Sequence, residues 1–91
     1  MELHDRIAEE LERTKSLAAL IWLVQRGREV EFTVEGKGWF LSRSRAERYV
    51  SLWDSQTEQS FDSVEELLEN AAISGTPFLT AWKDARIEMI F

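Results

Sequence analysis

Three observations predict an α+β domain. Apolar residues recur at helical spacing from Leu3 to Val24. Strict alternation flanks a glycine turn between Val30 and Leu41. A helix-capping signature at Ser63 opens a second helical region, which closes on the alternating Ile87, Met89 and Phe91. The predicted architecture is an N-terminal helix, a small antiparallel sheet and a helix-turn-helix pair packed on one side. The sheet would contain a hairpin, a third strand and a C-terminal strand. At 91 residues the chain makes a single domain spanning 1–91.

The first helical region covers residues 3–26. Leu3, Ile7 and Leu11 step by four, and Thr14, Ala18 and Ile21 continue the line. Leu17, Leu20 and Val24 widen the stripe, so the second half is apolar nearly all round and should pack on a sheet. Ser16 leaves two alternatives: one continuous helix, or a break with Ser16 capping the second half. Gly27 fits the stop, and Arg26 and Arg28 suit the negative end of the helix dipole.

Residues 29–42 form the hairpin. Val30, Phe32 and Val34 alternate with Glu29, Glu31, Thr33 and Glu35. The turn is Glu35-Gly36-Lys37-Gly38, and Trp39 and Leu41 share the face of Val30, Phe32 and Val34 whichever pair sits at the tip. Phe40 falls on the outer face. Residues 43–47 are a polar connection. Residues 48–53 fit either a strand or a helical stripe; strand is favoured because Tyr49, Val50 and Trp53 are strand formers and a lone hairpin needs a third strand. Residues 54–60 make a polar turn that could include a short strand leading to Phe61.

Ser63 with Glu66 makes a capping box ahead of the stripe Val64, Leu67, Leu68 and Ala71. Gly75 ends that unit. Thr76 as cap and Pro77 at the first helical position open a short helix that buries Phe78, Trp82 and Ala85. Residues 86–91 return as a strand, with Ile87, Met89 and Phe91 expected on one face.

Composition excludes several function classes. There is no cysteine, so disulfides, thiolate metal sites and cysteine nucleophiles are absent. The single histidine, His4, sits in a charged N-terminal segment with no nucleophile arranged beside it. None of the GxSxG, HExxH, GxGxxG or P-loop patterns occurs, and Gly36-Lys37-Gly38 is a hairpin turn with no helix start behind it. A non-enzymatic protein without a cofactor or metal is therefore expected. The N-terminus MELHDRIAEE carries charges where a signal peptide is apolar, and Leu17–Val24 is too short to span a bilayer. These point to the cytoplasm.

The net charge of −6 disfavours direct nucleic-acid binding. Arg43, Arg45 and Arg48 beside Tyr49 and Trp53 are the one local exception. The acid is concentrated: Asp54, Glu58, Asp62, Glu65, Glu66 and Glu69 fall in one stretch without a Lys or Arg. Counted from Asp54, the segment also places acids at several positions of an EF-hand calcium loop. However, Gln59 stands where the sharp turn needs glycine, which leaves a degenerate calcium-binding module as a third-ranked alternative.

Arg28-Glu29-Val30-Glu31-Phe32 with its glycine turn, Phe61 through Ala71, and Ile73-Ser74-Gly75-x-Pro77-x-Leu79-x-x-Trp82 together carry a resemblance. Over residues 28–91 the chain is similar to small uncharacterised proteins carried by phages and mobile elements of Gram-positive bacteria. It departs from their pattern at Pro77 and Lys83. The resemblance implies an α+β fold and a genomic setting, and brings no catalytic or binding residues.

The leading expectation is a protein-interaction domain presenting Asp54, Glu58, Asp62, Glu65, Glu66 and Glu69 to a basic partner. The setting suggests an inhibitor of a nucleic-acid-binding host or defence protein such as a CRISPR effector. Trp22, Phe40 and Trp53 are the candidate aromatic anchors. The alternative is a homo-oligomeric structural or regulatory protein that uses Leu17–Val24 as its interface.

Overall fold

A computed structural model describes residues 2–44 and 49–91. Two helices, α1 (Leu3–Thr14) and α2 (Leu17–Gln25), precede a run of four strands: β1 (Val30–Val34), β2 (Lys37–Arg43), β3 (Val50–Trp53) and β4 (Glu58–Phe61). Then come α3 (Val64–Asn70), the two-residue strands β5 (Ala72–Ile73) and β6 (Thr76–Pro77), α4 (Phe78–Trp82) and β7 (Arg86–Ile90). The main sheet has the order β4-β3-β2-β1-β7, and every pairing is antiparallel. The α+β architecture is the one the sequence predicts.

The N-terminal region is two helices, which resolves the alternatives that Ser16 left open. Lys15 adopts the left-handed conformation (φ 54°) and ends α1, and the Ser16 hydroxyl accepts from the Ala19 N–H to start α2. At the far end of α2, Gly27 N–H bonds to Val24 O and Arg28 N–H to Leu23 O, the Schellman pattern. Gly27 carries the positive φ of 86° that this stop requires.

The hairpin tip is Glu35-Gly36, since Val34 pairs with Lys37. Both tip residues have positive φ, 51° and 81°, as a type I′ turn demands. This register places Val30, Phe32, Trp39 and Leu41 together on the helix side, where all four are buried. Residues 50–53 are a strand, as strand-former content predicts, with Val50 and Leu52 completing the same inner face. The strand left open near Phe61 exists as β4 and forms one edge of the sheet.

The inner face is covered by α2, α3 and α4. Leu20, Leu23 and Val24 of α2 and Val64, Leu67 and Leu68 of α3 are buried in one cluster with the sheet. Phe32 of β1 meets Phe78 and Trp82 of α4 edge-on, at ring-centroid distances of 6.1 and 5.2 Å, while Phe78 and Trp82 stack at 5.5 Å. Each such contact is worth about 0.5–1.5 kcal/mol beyond area burial. Helix α1 lies against α2 and inserts Leu11, which is fully buried.

Two local expectations are corrected. Thr76 does not cap α4: it pairs with Ile73 across the Ser74-Gly75 turn, and Pro77 is the residue that precedes the helix. The C-terminal strand does not keep Ile87, Met89 and Phe91 on one face. Its pairing with β1 shifts between Glu31 and Phe32, so that Phe32 opposes Ile87, Glu31 opposes Met89 and Val30 opposes Ile90. Glu88 is the extra residue of a β-bulge. Ile87 and Ile90 therefore pack against the core, and Met89 turns outward with half its surface exposed.

Candidate functional site: the open face of the sheet

The helices pack on one side of the sheet, and among the described residues no helix covers the other side. The strand registers assemble a row across it. Glu31 of β1 opposes Phe40 of β2, Phe40 opposes Trp53 of β3, and Trp53 opposes Glu58 of β4. Met89 of β7 extends the row beyond Glu31. Because directly opposed residues share a face, this is a line of acid, two aromatics and acid, with a methionine at the end.

The centre of the row is rigid. Phe40 and Trp53 stack with centroids 4.4 Å apart and planes 15° from parallel. The Trp53 indole N–H donates to the Ser42 hydroxyl at 3.0 Å, which fixes the ring's orientation. Both rings are half-buried, and each covers one face of the other. A second row behind the first is serine: Ser42 opposes Ser51, and Ser51 opposes Ser60. Ser51 donates to Glu58 Oε2 at 2.8 Å, and Ser60 donates to the same oxygen at 3.3 Å. One carboxylate oxygen of Glu58 is thus anchored to the sheet by two hydroxyls.

The acidic stretch continues around the β4 edge onto α3. Asp62, Glu65, Glu66 and Glu69 are exposed. The Ser63 hydroxyl accepts from Glu66 N–H at 3.0 Å, and the Glu66 carboxylate accepts from Asp62 N–H at 3.2 Å, so the capping box closes one residue earlier than the usual pattern. Glu65 accepts from the Gln25 side chain at 3.2 Å. Among the described residues no Lys or Arg forms an ion pair with Glu58, Asp62, Glu65, Glu66 or Glu69; the ion pairs are Lys37–Asp54 and Arg86–Glu88. Among the described residues, then, the negative charge of this edge is uncompensated.

Asp54 does not belong to that exposed group, which corrects the expectation for this residue. Its side chain is 2% exposed and 2.8 Å from Lys37 Nζ. Its other oxygen accepts from the N–H groups of Gln56 and Thr57 at 2.8 and 2.7 Å and from the Thr57 hydroxyl. It is the keystone of the β3–β4 turn. The Lys37 ammonium, followed by the two backbone N–H groups, holds its carboxyl far below the usual carboxylate range. With Asp54 so occupied and Glu58–Phe61 extended as a strand, the segment from 54 to 65 is strung along a hairpin and does not wrap one point. Among the described residues no group of three or more His, Asp or Glu could hold a metal ion.

Trp22, the third candidate anchor, lies on the helical side, away from Phe40 and Trp53. His4 meets it in a T-shaped contact at 4.8 Å, and the Arg26 guanidinium covers its face at 3.8 Å. The Leu17–Val24 segment spends Ala19, Leu20, Leu23 and Val24 on the protein's own core and leaves Leu17 exposed. Of the basic cluster, Arg43 bonds to the Gln25 carbonyl, and Arg45 and Arg48 lie outside the described residues. Among the described residues, no helix is long and apolar enough to cross a membrane.

Two residues of the row were missed in the sequence. Hairpin alternation already puts Glu31 on the face of Phe40, so that signal was present. Met89 comes outward only through the bulge, which the sequence does not announce. No protein-family model, curated protein or solved structure matches the chain significantly.

Proposed function

We propose that the protein is a non-enzymatic interaction domain that docks a basic protein partner on the open sheet face and its acidic β4–α3 edge. The single observation that carries this reading is the continuity of the two surfaces. Glu58 ends the aromatic row and also begins the acidic stretch, unpaired among the described residues, that runs on through Asp62, Glu65, Glu66 and Glu69. Protein interfaces draw affinity from a few aromatic anchors in a positioned cluster, and complementary charge chiefly speeds and orients encounter. Phe40 and Trp53 supply the first and the acidic edge the second.

The resemblance to phage and mobile-element proteins supports a particular class of partner. A nucleic-acid-binding host or defence protein, a CRISPR effector among them, presents a basic surface to which an acidic domain acting in the cytoplasm can bind in competition with nucleic acid. The test is affinity capture from a bacterial host lysate with the wild type and with the Glu65→Lys/Glu66→Lys/Glu69→Lys variant. A partner retained by the wild type at low salt and lost by the reversed variant supports the reading. A partner held equally by both overturns the role of the acidic edge.

A further inference from the structure

The row across the open face has a more specific chemistry than general acidity, and the following rests on the interaction reading above. We infer that the row Glu31–Phe40–Trp53–Glu58 is a seat for an arginine side chain of the partner. The guanidinium would stack on the face of Trp53 that Phe40 leaves uncovered, with its N–H groups directed to the neighbouring Glu58 carboxylate.

Three features argue for arginine over a generic cation. First, the aromatic ring is fixed. Phe40 stacked on one face of Trp53 at 15° and the Trp53–Ser42 hydrogen bond hold the indole in one orientation, so a planar cation can stack on its other face without first ordering the ring. Second, acid stands on both flanks. Glu58 adjoins Trp53 and Glu31 adjoins Phe40, and neither carboxylate has a cationic partner among the described residues. Third, Glu58 is held in place by hydroxyls and not by a charge. Ser51 and Ser60 both donate to Oε2, and neutral hydroxyls orient the carboxylate without cancelling its charge. Guanidinium combines a stacking face with edge-on donors for a carboxylate, whereas an ammonium offers neither the plane nor the fork. The protein already shows the first half of this chemistry on its other side, where Arg26 covers Trp22 at 3.8 Å.

The seat can be tested with fluorescein-labelled octa-arginine and octa-lysine of equal charge, by anisotropy at about 0.15 M salt, where long-range attraction is largely screened. The full chain, Glu58→Gln, Trp53→Leu and the Glu65→Lys/Glu66→Lys/Glu69→Lys variant are compared. Circular dichroism confirms that each is folded, and the amide oxygen of Glu58→Gln can still accept from Ser51 and Ser60. The expected result is roughly tenfold tighter binding of the arginine peptide than of the lysine peptide. Glu58→Gln and Trp53→Leu should each weaken the arginine peptide about five- to tenfold and leave the lysine peptide nearly unchanged. Equal binding of the two peptides, with only the triple reversal reducing it, would overturn the arginine seat and leave the acidic docking edge standing. Failure of both peptides to bind would overturn the seat and the acidic docking surface together.

Discussion

Lys15 and Trp82 exchange hydrogen bonds across 67 residues of chain: the Trp82 indole N–H donates to the Lys15 carbonyl at 3.1 Å, and Lys15 Nζ donates to the Trp82 carbonyl at 3.0 Å. The same ammonium also reaches the carbonyls of Lys83 and Ala85. A lysine between α1 and α2 therefore caps the C-terminal end of α4, where carbonyls are left without intrahelical partners. This clasp ties the N-terminal helices to the last third of the chain.

Replacing Lys15 by Met keeps most of the aliphatic stem and removes the three charge-assisted bonds. The expected loss is about 1.5–3 kcal/mol, read as a lower urea midpoint at unchanged m-value. A change within about 0.5 kcal/mol, the range of ordinary surface substitutions, would show that the clasp is incidental.

The hairpin tip carries strain that can be relieved. Glu35 sits at φ 51°, a conformation in which asparagine is better tolerated than glutamate. Glu35→Asn creates the preferred pairing with Gly36 and should stabilise the protein by on the order of 0.5–1 kcal/mol. Chemical denaturation measures it directly, and a destabilised variant would contradict the type I′ assignment.

Asp54 sets an acid limit. Its carboxyl is depressed from its ordinary value of 3.8 by Lys37 and the turn N–H groups, so the folded state favours the ionised form. The stability it contributes is fully present above its unfolded pKa and is lost as pH falls from about 4 toward its folded value. Asp54→Asn retains an acceptor for the turn and removes the charge facing Lys37. The variant should be less stable than the wild type at pH 7, and the gap should narrow steadily as the pH is lowered from about 4 to about 2. Parallel stability curves over that interval would show that the pair contributes nothing.

The bulge at Glu88 predicts opposite outcomes for neighbouring residues. Met89→Thr on the outer face should change stability by less than about 0.5 kcal/mol. Ile90→Ala, which removes a half-buried side chain from the core side, should cost about 1–2 kcal/mol, below the range for fully buried sites. The reverse order would restore simple alternation through β7.

The sequence carried the helices and the hairpin well because their signals are local. Ser16, Ser63 and Gly27 act within one turn of themselves, and Val30 to Leu41 alternate without interruption. The β7 phase was not legible, because a bulge is a relationship between two strands far apart in sequence. The binding surface was legible in pieces. Phe40 and Trp53 were visible as outer-face or strand aromatics, and Glu58 as one acid among six. Their assembly into one row depends on the register of β2, β3 and β4. Asp54 shows the converse, since an acid in a polar turn reads as exposed until its partner Lys37 is brought to it from the tip of another hairpin.

The most direct test of the docking surface is an NMR titration of the ¹⁵N-labelled full chain with octa-arginine. Shifts should concentrate on the Trp53 indole N–H and on the amides of Phe40, Ser42, Ser51 and Glu58, and extend to α3. Shifts confined to the helical layer around Trp22, Leu17 or Leu79, with the Trp53 indole signal unmoved, would contradict it.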